Sequence, residues 1–160
     1  MIARRSCCLA SGMVLVLGGC AAPAQLPHAA PGEWNGRLSV RIDSEGVQPF
    51  FAAFELRGTA QTGNLTLFSP LGATLARLSW SPGQAKLFAQ GSEQSFESLA
   101  ALTRNAIGTE LPVGALFRWL DGDSVDEAGW KAELGELARG KLSAVRSSPA
   151  PVVELRVLLD

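Results

Sequence analysis

Residues 34–57 read WNGRLSVRIDSEGVQPFFAAFELR, and their period decides the fold. Leu38, Val40 and Ile42 alternate with Arg37, Ser39 and Arg41, and the run stops at the turn-forming group Asp43-Ser-Glu-Gly46. Phe50, Ala52, Phe54 and Leu56 then alternate with Phe51, Ala53, Glu55 and Arg57. An apolar residue at every second position turns one face of a strand to a core and the other to water, which predicts two antiparallel strands. The same period continues downstream. Leu65 and Leu67 share a face of a third strand, Ala76, Leu78 and Trp80 of a fourth, and Leu87 and Ala89 of a fifth beyond Ser81-Pro-Gly83. Strands joined by short turns in this way describe a meander.

The period then lengthens to that of a helix. Ser95 is the expected cap of a first helix, with Glu97 suited to its positive end and Leu99, Leu102 and Ala106 on one side before Gly108. Pro112 is expected in the first turn of a second, where Val113, Leu116, Phe117 and Leu120 form a stripe and Gly122 follows the end. Strand-like runs return at 130–137, 141–146 and 152–159. A long antiparallel sheet interrupted by a helical pair is an α+β arrangement in which helices cover one face of a curved sheet.

Upstream of the sheet the chain is of a different kind. Arg4 and Arg5 precede an apolar run from about Leu9 to Leu17, and Gly18-Gly19-Cys20 closes it. That run is roughly 10 residues, short of the ~20 needed to cross a bilayer as a permanent helix. The pattern is that of a lipoprotein signal peptide over residues 1–19, cleaved before Cys20, whose thiol and new amino group are then acylated. Residues 20–33 form an Ala/Pro-rich tether, and residues 34–160 are long enough for one domain. His28, the single histidine, falls in the tether, where it has no neighbours to make it a ligand or a base.

Removal of residues 1–19 takes Arg4 and Arg5 from the 14 basic residues, leaving 12 against 15 acidic ones and a formal charge of −3. A mildly acidic domain without a basic block is no nucleic-acid binder. Cys7 and Cys8 leave with the signal and Cys20 carries lipid, so no disulfide is expected and the core alone must hold the fold. No Ser/His/Asp or Cys/His set can form, and no phosphate-cradling Gly-rich loop is present. Asp121, Asp123, Asp126 and Glu127 superficially suggest a calcium loop but lack its central acidic residue and glycine, and read as a solvated turn, so no metal is expected.

One segment departs from ordinary loop composition. In Leu65-Thr-Leu-Phe-Ser-Pro-Leu-Gly72 a leucine lies between turn formers, where a solvent-facing loop normally carries a polar residue. Leu71 either projects as an apolar tip or folds back to plug the end of the sheet.

The motifs Trp34-x-Gly36-Arg-Leu, Phe50 to Leu56, Ser69-Pro-Leu-Gly72, Gly108-x-x-Leu-Pro112 and Leu116-x-x-Trp119-Leu-x-Gly122, in that order, resemble the LolB family of lipoprotein receptors. The resemblance runs from Trp34 to about Trp130. It implies a half-open antiparallel β-barrel with a short helical lid over an apolar cavity, no cofactor and no reaction. It also implies a LolA-type periplasmic carrier as partner, lipoprotein acyl chains as cargo, and the inner leaflet of the outer membrane as destination, with the protein lipid-anchored on the periplasmic face. By the same resemblance Pro70, Leu71 and Gly72 form the loop that promotes release into the membrane. Leu38, Val40, Phe54, Leu56, Leu65, Leu67, Leu78 and Trp80 could supply the cavity wall, and Leu99, Leu102, Leu116, Phe117 and Leu120 the lid. Alternation alone does not separate a lined cavity from a filled core.

Two departures from the family stand out: a short segment after Trp130, which puts one or two closing strands in question, and the lack of any tyrosine. A monomer is expected. The competing reading is a structural lipoprotein that docks an envelope protein partner without moving lipid. An envelope hydrolase working through carboxylates is a third, with nothing specific pointing to it.

Overall fold

A computed structural model describes residues 32–160, so the expected signal peptide, Cys20 and the expected tether through residue 31 with His28 lie outside the described residues. The chain forms β1 (Glu33–Ile42), β2 (Phe50–Gly58), β3 (Gly63–Phe68), β4 (Thr74–Ser81), β5 (Gln84–Ala89), β6 (Ser92–Phe96), α1 (Leu99–Ile107), α2 (Val113–Leu120), β7 (Trp130–Glu133), β8 (Lys141–Arg146) and β9 (Val153–Leu159). All nine strands belong to one antiparallel sheet in the order β6-β5-β4-β3-β2-β1-β9-β8-β7. The two edges, β6 and β7, do not pair with each other, which leaves a half-open barrel with both helices on the concave side.

The meander predicted from alternation is the first five strands, and β6 extends it by one. Its register is strict because a slip of one residue would turn every apolar side chain to water. Val40, Ala52, Phe54, Leu56, Leu78 and Trp80 are buried on the inner face. The C-terminal run returns as β9, which pairs with the free side of β1 from Gly36↔Leu159 to Ile42↔Val153. Leu142, Ala144, Val153, Leu155 and Val157 thereby complete the core. Gly36 makes this approach possible, since a Cβ built there would collide with the carbonyl oxygen of Leu158.

Three local expectations are corrected. Residues 92–96 form β6 instead of leading into a helix, and Ser98, not Ser95, caps α1: its Oγ accepts from the backbone N–H of Ala101 at 3.1 Å. A polar edge strand carries little periodic signal, which is why Ser92–Phe96 passed for loop and cap. Pro112 precedes α2 at the capping position, with Val113 the first helical residue. The run at 130–137 is a four-residue strand, and a 3-10 turn, Leu137–Arg139, leads into β8.

Candidate functional site

The inner face of the sheet is built from rows of side chains that register sets side by side. Leu56 pairs with Leu65, Leu65 with Leu78, and Leu78 with Leu87, so one leucine from each of four consecutive strands lies in a single row. The next row runs Phe54, Leu67, Ala76, Ala89. Leu38 and Val40 of β1 continue the wall, and Leu155 and Val157 of β9 extend it past the point where the meander ends.

Above this floor the helices form a lid. Gly108, in the left-handed conformation at φ 78°, ends α1 and donates to the carbonyl of Arg104. The connection to α2 is tied down by Thr103, whose hydroxyl donates to the Ala100 carbonyl and accepts the N–H of Leu111, each at 3.2 Å. A surface ion pair between Arg104 and Glu110 spans the same junction. At the far end of α2, Trp119 is fully buried, its indole N–H donates to the carbonyl of Val125 at 2.8 Å, and its ring lies 6.4 Å from that of Trp130.

Between floor and lid is a cavity of about 520 Å³, within the ~300–1,000 Å³ usual for small-ligand sites. Leu38, Val40, Phe54, Leu56, Leu65, Leu67, Leu78 and Trp80 all line it, as do Leu99, Leu102, Leu116 and Leu120 of the lid. Phe117 does not. Its ring packs edge-on against Trp34 at 5.3 Å and Trp80 at 6.2 Å, and fastens α2 to the sheet beside the cavity. Ile107, Leu111 and Val113 at the helix junction also reach the cavity and were not anticipated, although their apolar character at the end of one stripe and the start of the next was visible.

Leu75 is the other residue that alternation missed. It lies between Thr74 and Ala76, and a break in the β3–β4 register, where Phe68 pairs with Thr74 but Leu67 with Ala76, leaves it without a partner. A bulge of this kind re-aims a side chain. Leu75 lines the cavity and is 40% exposed, so it belongs to the mouth.

The lining contains no Asp, Glu, Lys, Arg or His; its polar members are uncharged, among them Gln90, Ser92, Gln94 and Asn105. Such a wall offers no titratable group for proton transfer and no charge to an ionic ligand, but it can shield an apolar chain from water. Two other hollows, of about 490 and 600 Å³, differ in kind, being lined in part by charged residues such as Arg37, Arg41, Glu154 and Arg156. Among the acidic residues after α2, Asp123 is engaged by Arg118 at 2.6 Å, and no cluster of three or more metal-ligating side chains occurs among the described residues.

The loop between β3 and β4 is tightly held. Ser69 exchanges both backbone bonds with its surroundings, donating to the Ala73 carbonyl at 2.8 Å and accepting from Gly72 at 2.9 Å, while its hydroxyl accepts from the Ala73 N–H. Gly72 supplies the positive φ, 83°, that the turn requires. Of the two sequence readings for Leu71, projection is the one found: the side chain is 97% exposed.

Sequence comparison finds related proteins over most of the domain. The family model described as outer membrane lipoprotein LolB matches residues 33–149. The outer-membrane lipoprotein LolB of Chromobacterium violaceum is 31% identical over 118 residues, covering 69% of this chain and 64% of that protein. That of Bordetella petrii is 34% identical over 126 residues, covering 75% and 63%. That of Neisseria meningitidis serogroup A is 27% identical over 135 residues, covering 77% and 67%. The match to the first two spans just under two thirds of their length.

Proposed function

Because the chain belongs to the LolB family of outer membrane lipoproteins, we propose that it accepts lipoprotein acyl chains from a LolA-type periplasmic carrier and releases the lipoprotein into the inner leaflet of the outer membrane. The observation that carries this reading is the uncharged apolar cavity under a two-helix lid, whose mouth at Leu75 lies four residues from the exposed Leu71. An acyl chain gains ~0.8 kcal/mol for each CH₂ it hides from water, so a cavity can compete for it with a carrier, and a bilayer that covers more of the chain can take it from the cavity.

In this reading residues 1–19 are removed, acylated Cys20 anchors the protein, the tether runs from Cys20 to the start of the domain, whose first strand already includes Glu33, and the domain acts as a monomer. Pro70, Leu71 and Gly72 form the release loop. One leucine entering lipid contributes ~2 kcal/mol, too little to hold a domain on a membrane but enough to bias the contact of one already tethered. No catalytic step and no cofactor are needed.

The test is transfer. A carrier loaded with radiolabelled lipoprotein is mixed with the soluble domain, and label is followed to the domain and then to liposomes. Label moving to the wild-type domain, with release into liposomes lost in Leu71→Glu, is the expected result. A folded domain that takes up no label would overturn the proposal.

A further inference from the structure

The exposed large apolar residues of the described chain are not scattered. Val47, Leu71 and Val152 lie in the connections β1–β2, β3–β4 and β8–β9. Antiparallel pairing brings these three connections to one end of the barrel, because Ile42, Phe50, Phe68, Thr74 and Val153 all terminate their strands there. Leu75, Phe51, Phe88 and Val145, the others of this class, are each one residue in from a strand terminus at that same end. The opposite end, formed by Glu33, the turn 59–62, the turn 81–83 and Asp160, presents polar and small residues. The β1–β2 and β8–β9 connections are joined directly by the Asp43 N–H, which donates to the Val152 carbonyl at 2.8 Å.

The chain enters the domain at the polar end, where Gly32 accepts the N–H of Gly58. Leu71 is therefore separated from the start of the domain by the length of β3, six residues or roughly 20 Å at ~3.3 Å each, plus the loop. The twelve residues from Cys20 to Pro31, with three prolines, would span ~37 Å at ~3.1 Å per residue. That length suffices to run from an anchored Cys20 back along the barrel.

We infer that the Val47, Leu71 and Val152 connections together form a rim that docks on the lipid bilayer, with the domain inverted relative to its anchor and the tether spanning the barrel's length. The inference rests on the reading of Leu71 as a membrane-contacting residue and extends it to a three-point surface. A single apolar tip fixes a point of contact and leaves the tilt free. Three connections fix a plane, which brings the cavity mouth at Leu75 against lipid.

The lipidated full-length protein in vesicles of phosphatidylethanolamine and phosphatidylglycerol with brominated acyl chains provides the test. A fluorophore is attached in turn to Val47→Cys, Leu71→Cys, Val152→Cys and, at the opposite end, Gln61→Cys. Quenching of at least twofold at the first three and none at Gln61→Cys is expected. Quenching at Leu71→Cys alone would overturn the rim and leave the Leu71 reading standing. Quenching at Val47→Cys and Val152→Cys without Leu71→Cys would support the rim and remove the Leu71 reading. Quenching at Gln61→Cys, or nowhere, would overturn the inverted posture. Removal of residues 24–29 leaves about six tether residues, ~19 Å, and quenching at the rim is then expected to fall to background, while a Gly/Ser replacement of equal length retains it. Unchanged quenching in the shortened protein would refute the spanning role of the tether.

Discussion

The ring of Phe117 meets that of Trp34 edge-on, with centroids 5.3 Å apart and planes inclined at 73°. Trp34 is the second residue of β1 and Phe117 lies in the middle of α2, so this pair fastens the lid to the sheet from outside the cavity it covers. Edge-to-face pairs add ~0.5–1.5 kcal/mol beyond the area they bury. Phe117→Ala is expected to lower stability by ~3–5 kcal/mol, read as a shifted urea midpoint, and the lid should loosen before the sheet does.

Gly36 tests the closing contact between the first and last strands. Its added Cβ in Gly36→Ala would meet the Leu158 carbonyl, so β9 must move away from β1. Overpacking of this order costs ~1–3 kcal/mol. Faster hydrogen exchange of the β9 amides than of those in β3 and β4 is the expected signature, and equal protection in the two regions would contradict it.

Blocking the cavity should separate binding from folding. Ala76 lines the cavity between Leu67 and Ala89, and its side chain is small. Ala76→Trp should reduce the affinity for an apolar fluorescent probe at least tenfold while the far-ultraviolet circular dichroism stays that of the parent. Undiminished probe binding would show that the probe, and by extension an acyl chain, is held elsewhere.

Leu71→Glu should do the reverse. A residue 97% exposed contributes nothing to packing, so stability should stay within ~0.5 kcal/mol of the parent. Probe affinity is expected to be unchanged, and only passage of bound lipoprotein into liposomes should fail. A loss of probe binding in this variant would mean that the loop takes part in holding the chain, not in releasing it.

The half-open barrel was legible because its strands are half-buried, and period two survives wherever one face is wet and the other dry, as at Leu38, Val40 and Ile42. Ser92–Phe96 was not legible, since an edge strand with a polar exposed face obeys no such constraint. Leu75 escaped for a related reason. A bulge shifts the phase by one residue, and no local property of Thr74-Leu75-Ala76 marks it.

The sequence by itself determined the class of the domain, the presence of two helices, the uncharged apolar faces of the strands and the leucine set among turn formers at 69–72, because each of these is written in periodicity or in a local clash of composition with context. Only the tertiary structure decided that Leu71 projects, that Phe117 packs outside the cavity while Leu116 and Leu120 line it, and that Leu155 and Val157 belong to the same wall as Leu56. These are outcomes of pairing between segments far apart in the chain, β1 with β9 above all, and of whether helices settle onto a sheet or stand off from it. Whether apolar faces fill the space between them or enclose it depends on distances between elements, which no pattern along the chain encodes.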